Sequence, residues 1–244
     1  MTTEPPHSSG KPGRQMRLTP ELVALVPPHD GTTGLVSTRS DRPTEADYAA
    51  TAAHLLKGRP ASGDVWVFAY GSLIWNPEFA FVEERLGRVH GWHRSFCLGW
   101  VRIYRGTPDR PGIMLAMDRG GSCRGVAFNL PPDAINDSLL PLLRREMPIK
   151  GDRIPARWLT VRTAEGDIRA LAFPISRSDP IYLPGLTEDQ VVNALATAAG
   201  ERGSMAEYLY ATVSHLEQRG IHDRYLWRLQ DLVADRIARG PVGA

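Results

Sequence analysis

Apolar residues are sparse and unpatterned over the first sixteen positions, MTTEPPHSSGKPGRQM, which predicts a disordered tail. The next stretch, LTPELVALVPP, has room for one helical turn before Pro27 and Pro28 stop it. GTTGLVSTRSDRP carries loop chemistry. TEADYAATAAHLLKG then predicts a helix, with Thr44 as N-cap, an alanine-rich body and Gly58 at its end. Pro60 to Gly63 read as a linker, which places the start of the main domain near Asp64. The chain so divides into a tail (1–16), an N-terminal extension with one helix (17–63) and one larger domain (64–240).

From Asp64 the pattern turns to strands. Val65–Tyr70 is a short apolar run ending in Gly71-Ser72. Arg94–Val101 and Ile113–Met117 read as strands, DRGGS as a turn, and Arg124–Leu130 as the returning strand of a hairpin. Pro131-Pro132-Asp133 stops that strand and opens a helix to about Met147. Arg157–Arg162 and Ile168–Pro174 flank AEGD as a second hairpin. The last third has apolar residues at helical spacing over Thr187–Ala199, Ser204–Gln218 and His222–Ala238. Strands first and helices last predict an α+β fold rather than the strand–helix alternation of a dinucleotide-binding sheet.

Composition narrows the function classes. Across 244 residues, 29 basic against 27 acidic side chains leave a formal charge of +2, too little to predict a nucleic-acid or anionic-membrane partner. Lysine occurs only at Lys11, Lys57 and Lys150, so Schiff-base candidates are few. Cys97 and Cys123 lie in apolar, strand-like runs and read as reduced core residues, with neither a disulfide framework nor a zinc motif. No segment has the roughly 20 apolar residues of a membrane span, and the polar start has no signal-peptide character. A reducing cytoplasm is the simplest placement.

Two places carry candidate chemistry. In the first, Tyr70-Gly71-Ser72-Leu73, a strand runs into a reversal. Glycine permits positive φ there, and successive amides can converge on a carboxylate or oxyanion; the plain alternative is a structural turn. The second is Glu146. On a helix over 133–147, Ile135, Leu139, Leu142 and Leu143 share one face. Glu146 falls near the middle of that stripe, while Arg144 points away. Desolvation and the helix C-terminus both raise the pKa of a carboxyl so placed, which suits a base near neutral pH. Fraying of the helix or pairing with a buried arginine are the competing readings. His90 and His93 are three apart in strand-like sequence, face opposite sides and read as structural. Arg105 in Arg105-Gly106-Thr107 is a lone candidate for an anion.

Tyr70-Gly71-Ser72-Leu73-Ile74-Trp75-Asn76-Pro77, with Val65-Trp66-Val67-Phe68 before it, resembles the signature of the γ-glutamylcyclotransferases. The similarity is to their ChaC-like, glutathione-specific branch. Gly91-Trp92-His93-Arg94-Ser95-Phe96-Cys97, Arg105-Gly106-Thr107, Pro111-Gly112, Gly125-Val126-Ala127-Phe128, Arg145-Glu146-Met147 and Glu207-Tyr208-Leu209 follow in the family's order, so the resemblance covers about 64–210. It implies a small closed β-barrel with flanking and C-terminal helices. It implies cleavage of glutathione to 5-oxoproline and cysteinylglycine, with Glu146 as the catalytic acid/base. Val67, Phe68, Ala69, Tyr70, Gly71, Ser72, Leu73, Arg105 and Tyr182 become substrate-binding positions. No cofactor, metal, nucleic acid, membrane or obligate protein partner is implied. Two departures stand out: Ala69 replaces a usual glycine, and Met147-Pro148-Ile149-Lys150-Gly151 differs from the common R-E-K-G-G-Y continuation. The alternatives are a cyclotransferase for other γ-glutamyl amides and a non-catalytic small-molecule binder on the same fold. The presence of Glu146 argues against the second.

Overall fold

The computed structural model describes residues 15–27, 42–102, 104–148 and 155–240. The tail expected over 1–16 therefore lies almost wholly outside the described residues, as do most of the loop at 31–43 and the altered segment from Ile149 to Gly151. The elements run α1 (Pro20–Ala24), α2 (Glu45–Lys57), β1 (Trp66–Ala69), a 3-10 turn (Ser72–Ile74), β2 (Glu83–Val101), β3 (Gly112–Asn129) and α3 (Ile135–Glu146). They continue with β4 (Arg157–Thr163), β5 (Gly166–Ala172), α4 (Glu188–Thr197), the two-residue strands β6 (Ala199–Gly200) and β7 (Gly203–Ser204), α5 (Met205–Gln218) and α6 (Arg224–Ala238).

Strands β1–β5 close into a barrel in the order β1-β3-β2-β4-β5, with β5 returning to β1 in parallel. Closure leaves no exposed sheet edge. Trp66, Phe68, Val89, Met117, Cys123 and Ala127 fill the interior. Residues of the opposite parity, among them Val67, Ala69, Val126 and Phe128, join the larger core under the helices. This is the α+β barrel expected, with one correction. DRGGS is not a hairpin turn. β3 runs through it unbroken and pairs along its length with β2, whose first half, from Glu83 to His93, has no apolar run to announce it. At 120–121 two glycines with positive φ oppose the single Gly91, also at positive φ, and the register shifts between His90 and Trp92. Three glycines thus make a bulge, which adds twist without reversing the chain. The true β2–β3 connection is the earlier loop carrying Arg105, between Val101 and Gly112.

Residues from 17–27 and 42–63 join the larger core under the helices. Leu18 is fully buried, and Tyr48 and Leu55 are 8% exposed. Each contributes about 1.5–3 kcal/mol by burial, a large share of the roughly 5–15 kcal/mol by which a domain is stable. Polar contacts tie them in as well. Gln230 Oε1 accepts the amides of Arg17 and Leu18 at 3.0 and 2.9 Å, and Trp158 Nε1 donates to the Leu55 carbonyl at 3.0 Å. Helix α2 is held by a capping box in which Thr44 and Asp47 exchange bonds. The Tyr48 hydroxyl donates to the Met147 carbonyl at 3.1 Å, so α2 buttresses the residue that follows Glu146.

Candidate active site

The site forms where β1 ends, α3 ends and α5 begins. Val67, Phe68 and Ala69 are completely buried strand residues paired with β3, so their side chains serve the core. From Tyr70 the chain leaves the sheet. Gly71 has φ −138° and ψ −128°, so the positive φ expected there is absent. Its glycine answers a close approach instead: a Cβ at 71 would stand 3.2 Å from the Tyr208 hydroxyl. Ser72–Ile74 then makes one 3-10 turn, in which Ile74 and Trp75 donate to Gly71 and Ser72. A turn of this kind leaves its leading amides, those of Ser72 and Leu73, without a partner inside the turn.

A buried arginine fixes the entry to this turn. Arg94 is 4% exposed; its Nε donates to the Tyr70 carbonyl at 2.6 Å and its Nη1 to Asp223 Oδ2 at 2.9 Å. Asp223 also caps α6, accepting from Tyr225 and Leu226. Arg94 falls in the Gly91–Cys97 motif that carries part of the resemblance, but its partners were not legible there; they come from the packing of α6 against β2.

Helix α3 carries Leu139, Leu142 and Leu143 into the core and ends at Glu146. Arg144 points outward to Glu45, as the helical period requires. Both competing readings of Glu146 are partly realised. It is the last helical residue, and Arg145 Nε lies 3.3 Å from its Oε1. Its side chain nevertheless keeps only 19% exposure. Burial raises its pKa above the ordinary glutamate value, Arg145 pulls it back, and the charge of Glu78 adds to the rise.

Two phenols lie within electrostatic reach of that carboxyl. Tyr70 is pushed well above an ordinary tyrosine, first by burial and then by Glu146; its hydroxyl donates to the Phe173 carbonyl at 3.0 Å. Tyr208 is pushed up to about 12, mainly by burial, with Arg105 opposing and Glu146 adding. Both therefore stay protonated at neutral pH. Trp75 meets the Tyr208 ring edge-on at 6.0 Å and donates to Thr212 at 3.2 Å, closing the wall behind it. Arg105 lies over the other face of Tyr208 at 5.3 Å. Its Nη1 donates to the Ser204 carbonyl at 2.9 Å and stands 3.5 Å from Glu207 Oε2. Tyr70, Gly71, Ser72, Arg105 and Glu146 thus share one region, lined also by Tyr208 and Arg145, which lie in the motifs that carry the resemblance but were not among the expected site residues.

Tyr182 is placed differently. Its hydroxyl donates to Asp118 Oδ2 at 3.1 Å. Asp118 also accepts from Arg177 Nε and Nη2, at 2.7 and 2.9 Å, and from the Arg119 amide at 2.7 Å. This knot seats the segment after β5 across β2 and β3: Ile175 donates to Met117, Gly99 to Ile181 and Leu183 to Cys97. Phe173, whose carbonyl receives the Tyr70 hydroxyl, begins that segment. Tyr182 is linked to the turn through this strap.

Other candidates stay outside the region. His90 is exposed, and His93 Nδ1 lies 3.1 Å from the Gly120 carbonyl. Among the described residues no three His, Cys, Asp or Glu side chains gather as a metal-binding group. Cys97 and Cys123 are buried free thiols, and burial pushes Cys97 up to about 11 and raises Cys123. Neither is primed as a thiolate. Among the described residues no helix is long and apolar enough to cross a membrane.

A closed five-stranded barrel with flanking helices has a solved counterpart. The structure of a yeast γ-glutamyl cyclotransferase specific to glutathione matches with a TM-score of 0.64 at 20% identity, over 70% of this chain and 96% of that one, and so shares the fold. A family profile described as ChaC-like protein matches residues 65–236, and the chain belongs to that family. A glutathione-specific γ-glutamylcyclotransferase of Escherichia coli K12 is 38% identical over 176 residues, which cover 72% of this chain and 75% of the relative. The glutathione-specific γ-glutamylcyclotransferase 1 of Mus musculus is 30% identical, covering 72% and 82%.

Proposed function

We propose that this protein is a glutathione-specific γ-glutamylcyclotransferase. It releases 5-oxoproline and cysteinylglycine from glutathione by intramolecular attack. One observation carries the chemistry: a carboxyl with a raised pKa, Glu146, lies within electrostatic reach of two protonated phenols and is joined through Arg145 to the Ser72 turn.

The substrate supplies its own nucleophile. Its α-amine attacks the γ-carbonyl carbon, a five-membered ring closes, and the amide C–N bond to the cysteinyl nitrogen breaks. No water is consumed and no enzyme nucleophile is needed. The amine must lose a proton before attack and the leaving nitrogen must gain one. Glu146 accepts the first and delivers it to the second. A carboxyl nearer neutrality than a solvated glutamate does both. The amides of Ser72 and Leu73 donate to the γ-glutamyl carboxylate or to the developing oxyanion. Holding the flexible γ-glutamyl arm bent supplies much of the acceleration. Arg105 is the cation for the far carboxylate, with Glu207 as its partner when no substrate is bound. Tyr182 acts through the strap that seats Phe173 behind Tyr70. A reducing, glutathione-rich cytoplasm is the setting this reading entails.

The test is incubation with glutathione, γ-glutamyl-alanine and γ-glutamyl-lysine, with 5-oxoproline as the readout. The expected result is product from glutathione alone. Product from the other two at equal rates makes it a broader cyclotransferase; none from any makes it a binding protein.

A further inference from the structure

Among the described residues, Glu78 is the one non-glycine residue with positive φ, at 54°. That conformation is rare for a side chain of this kind and persists only where its surroundings hold it. Two contacts do so. Asn76 Nδ2 donates to Glu78 Oε1 at 2.8 Å, and Arg145 Nη1 lies 3.2 Å from Oε2. Arg145 in turn spans the whole turn: Nη2 donates to Ser72 Oγ at 2.9 Å, Nη1 to the Asn76 carbonyl, and Nε reaches Glu146. One guanidinium therefore serves two carboxylates, Glu146 and Glu78, which are 19% and 59% exposed.

We propose that Glu78 is a positioning residue that holds Arg145 on the substrate turn and sets how much of its charge reaches Glu146. Without a second carboxylate, Arg145 belongs to Glu146 alone, and a fully paired carboxylate is a poor base. With Glu78 in place, Arg145 still clamps the turn to the helix end, but half its partnership lies outside the reacting region. Among the described residues, the other titratable groups within electrostatic reach of Glu146 are neutral phenols, Tyr70 just after β1 and Tyr208 from α5, with Arg105 over the ring of the second. Glu78 is thus the acid that offsets Arg145, in agreement with its raising effect on Glu146. This inference rests on Glu146 being the acid/base, yet its test does not depend on turnover.

The experiment follows the Glu146 carboxyl by 13C NMR titration in the full-length protein, assigned through Glu146→Gln, alongside the pH profile of kcat. Glu78→Gln should lower the Glu146 midpoint by about half a unit, the order expected when one like charge is removed from across Arg145 in a solvent-like medium. The acid limb of kcat should move with it. Salt at 1 M should shrink the shift, since Glu78 is exposed, and Glu78→Asp should restore most of it. Glu78→Asn, which suits the left-handed backbone, repeats the test should the Gln variant misfold. An unchanged midpoint, or a loss of turnover with an unmoved limb that Asp does not rescue, overturns the proposal. Absence of 5-oxoproline from the unmodified protein would instead overturn the assigned reaction and leave the titration to stand by itself.

Discussion

Glu146 and Asp118 are both shielded carboxyls beside an arginine, and the protein pushes them in opposite directions. Asp118 is the more buried, its side chain 6% exposed against 19%. Burial acts against its charge too, yet its pKa lies below the ordinary aspartate value, because Arg177, the Arg119 amide and Tyr182 all donate to it. Glu146 has one arginine at 3.3 Å and a like charge beyond it, and its pKa is raised. Desolvation prevails at Glu146, whereas at Asp118 the donors outweigh it; that balance decides whether a carboxylate is spent on structure or left available for proton transfer. A fully satisfied carboxylate ties a strap to a barrel; an under-satisfied one suits the role proposed for Glu146.

The largest test of this contrast is Glu146→Gln. The isostere keeps volume and loses the base, so kcat should fall by about 10²–10⁴-fold with the fold retained by circular dichroism. Near wild-type turnover would break the comparison at its catalytic end. Asp118→Asn should instead act on stability. Weakening hydrogen bonds to a buried charge costs about 1.5–3 kcal/mol, read as a lower thermal midpoint at pH 7. An unshifted midpoint would mean that the knot is idle.

The pH dependence should carry opposite signs. The folded pKa of Glu146 lies above its unfolded value of about 4.3, so its contribution is favourable below that value and is lost as pH rises through the folded pKa. Glu146→Gln should therefore raise the melting temperature at pH 7, and the gain should shrink toward pH 5. The folded pKa of Asp118 lies below its unfolded value of about 3.9. Its contribution is present above that value and fades as pH falls through the folded pKa, so the deficit of Asp118→Asn should close only in strong acid. Parallel slopes for the two variants would refute the distinction. The smallest effect expected is that of Tyr182→Phe: one donor lost at Asp118, about 0.5–1.5 kcal/mol in stability, and KM for glutathione within about threefold of wild type. A tenfold rise in KM would put the Tyr182 hydroxyl on the substrate.

The helices were legible because each carries its own signals. Thr44 and Gly58 bracket α2 as written in the sequence, and the stripe of Leu139, Leu142 and Leu143 placed Glu146 on the inward face of α3. The first half of β2 was not legible. Its outward residues, including Glu84, Arg88 and His90, are charged or polar, and the inward ones gain meaning only from the strands beside them. Gly120 and Gly121 looked like turn chemistry because a bulge and a reversal demand the same backbone freedom.

The sequence alone determined that a carboxyl would project from an apolar helix face and that a strand would end in a glycine turn, since both are properties of local period and composition. Tertiary structure decided the rest. It brought Tyr208 against Gly71, locked Arg94 under Tyr70 and placed Glu78 across Arg145 from Glu146. These pairs are separated in sequence by up to 137 positions or joined through side chains alone, and no local pattern encodes which distant donors a buried group will meet. The donors a carboxyl meets set its pKa, and they are known only once the chain has closed.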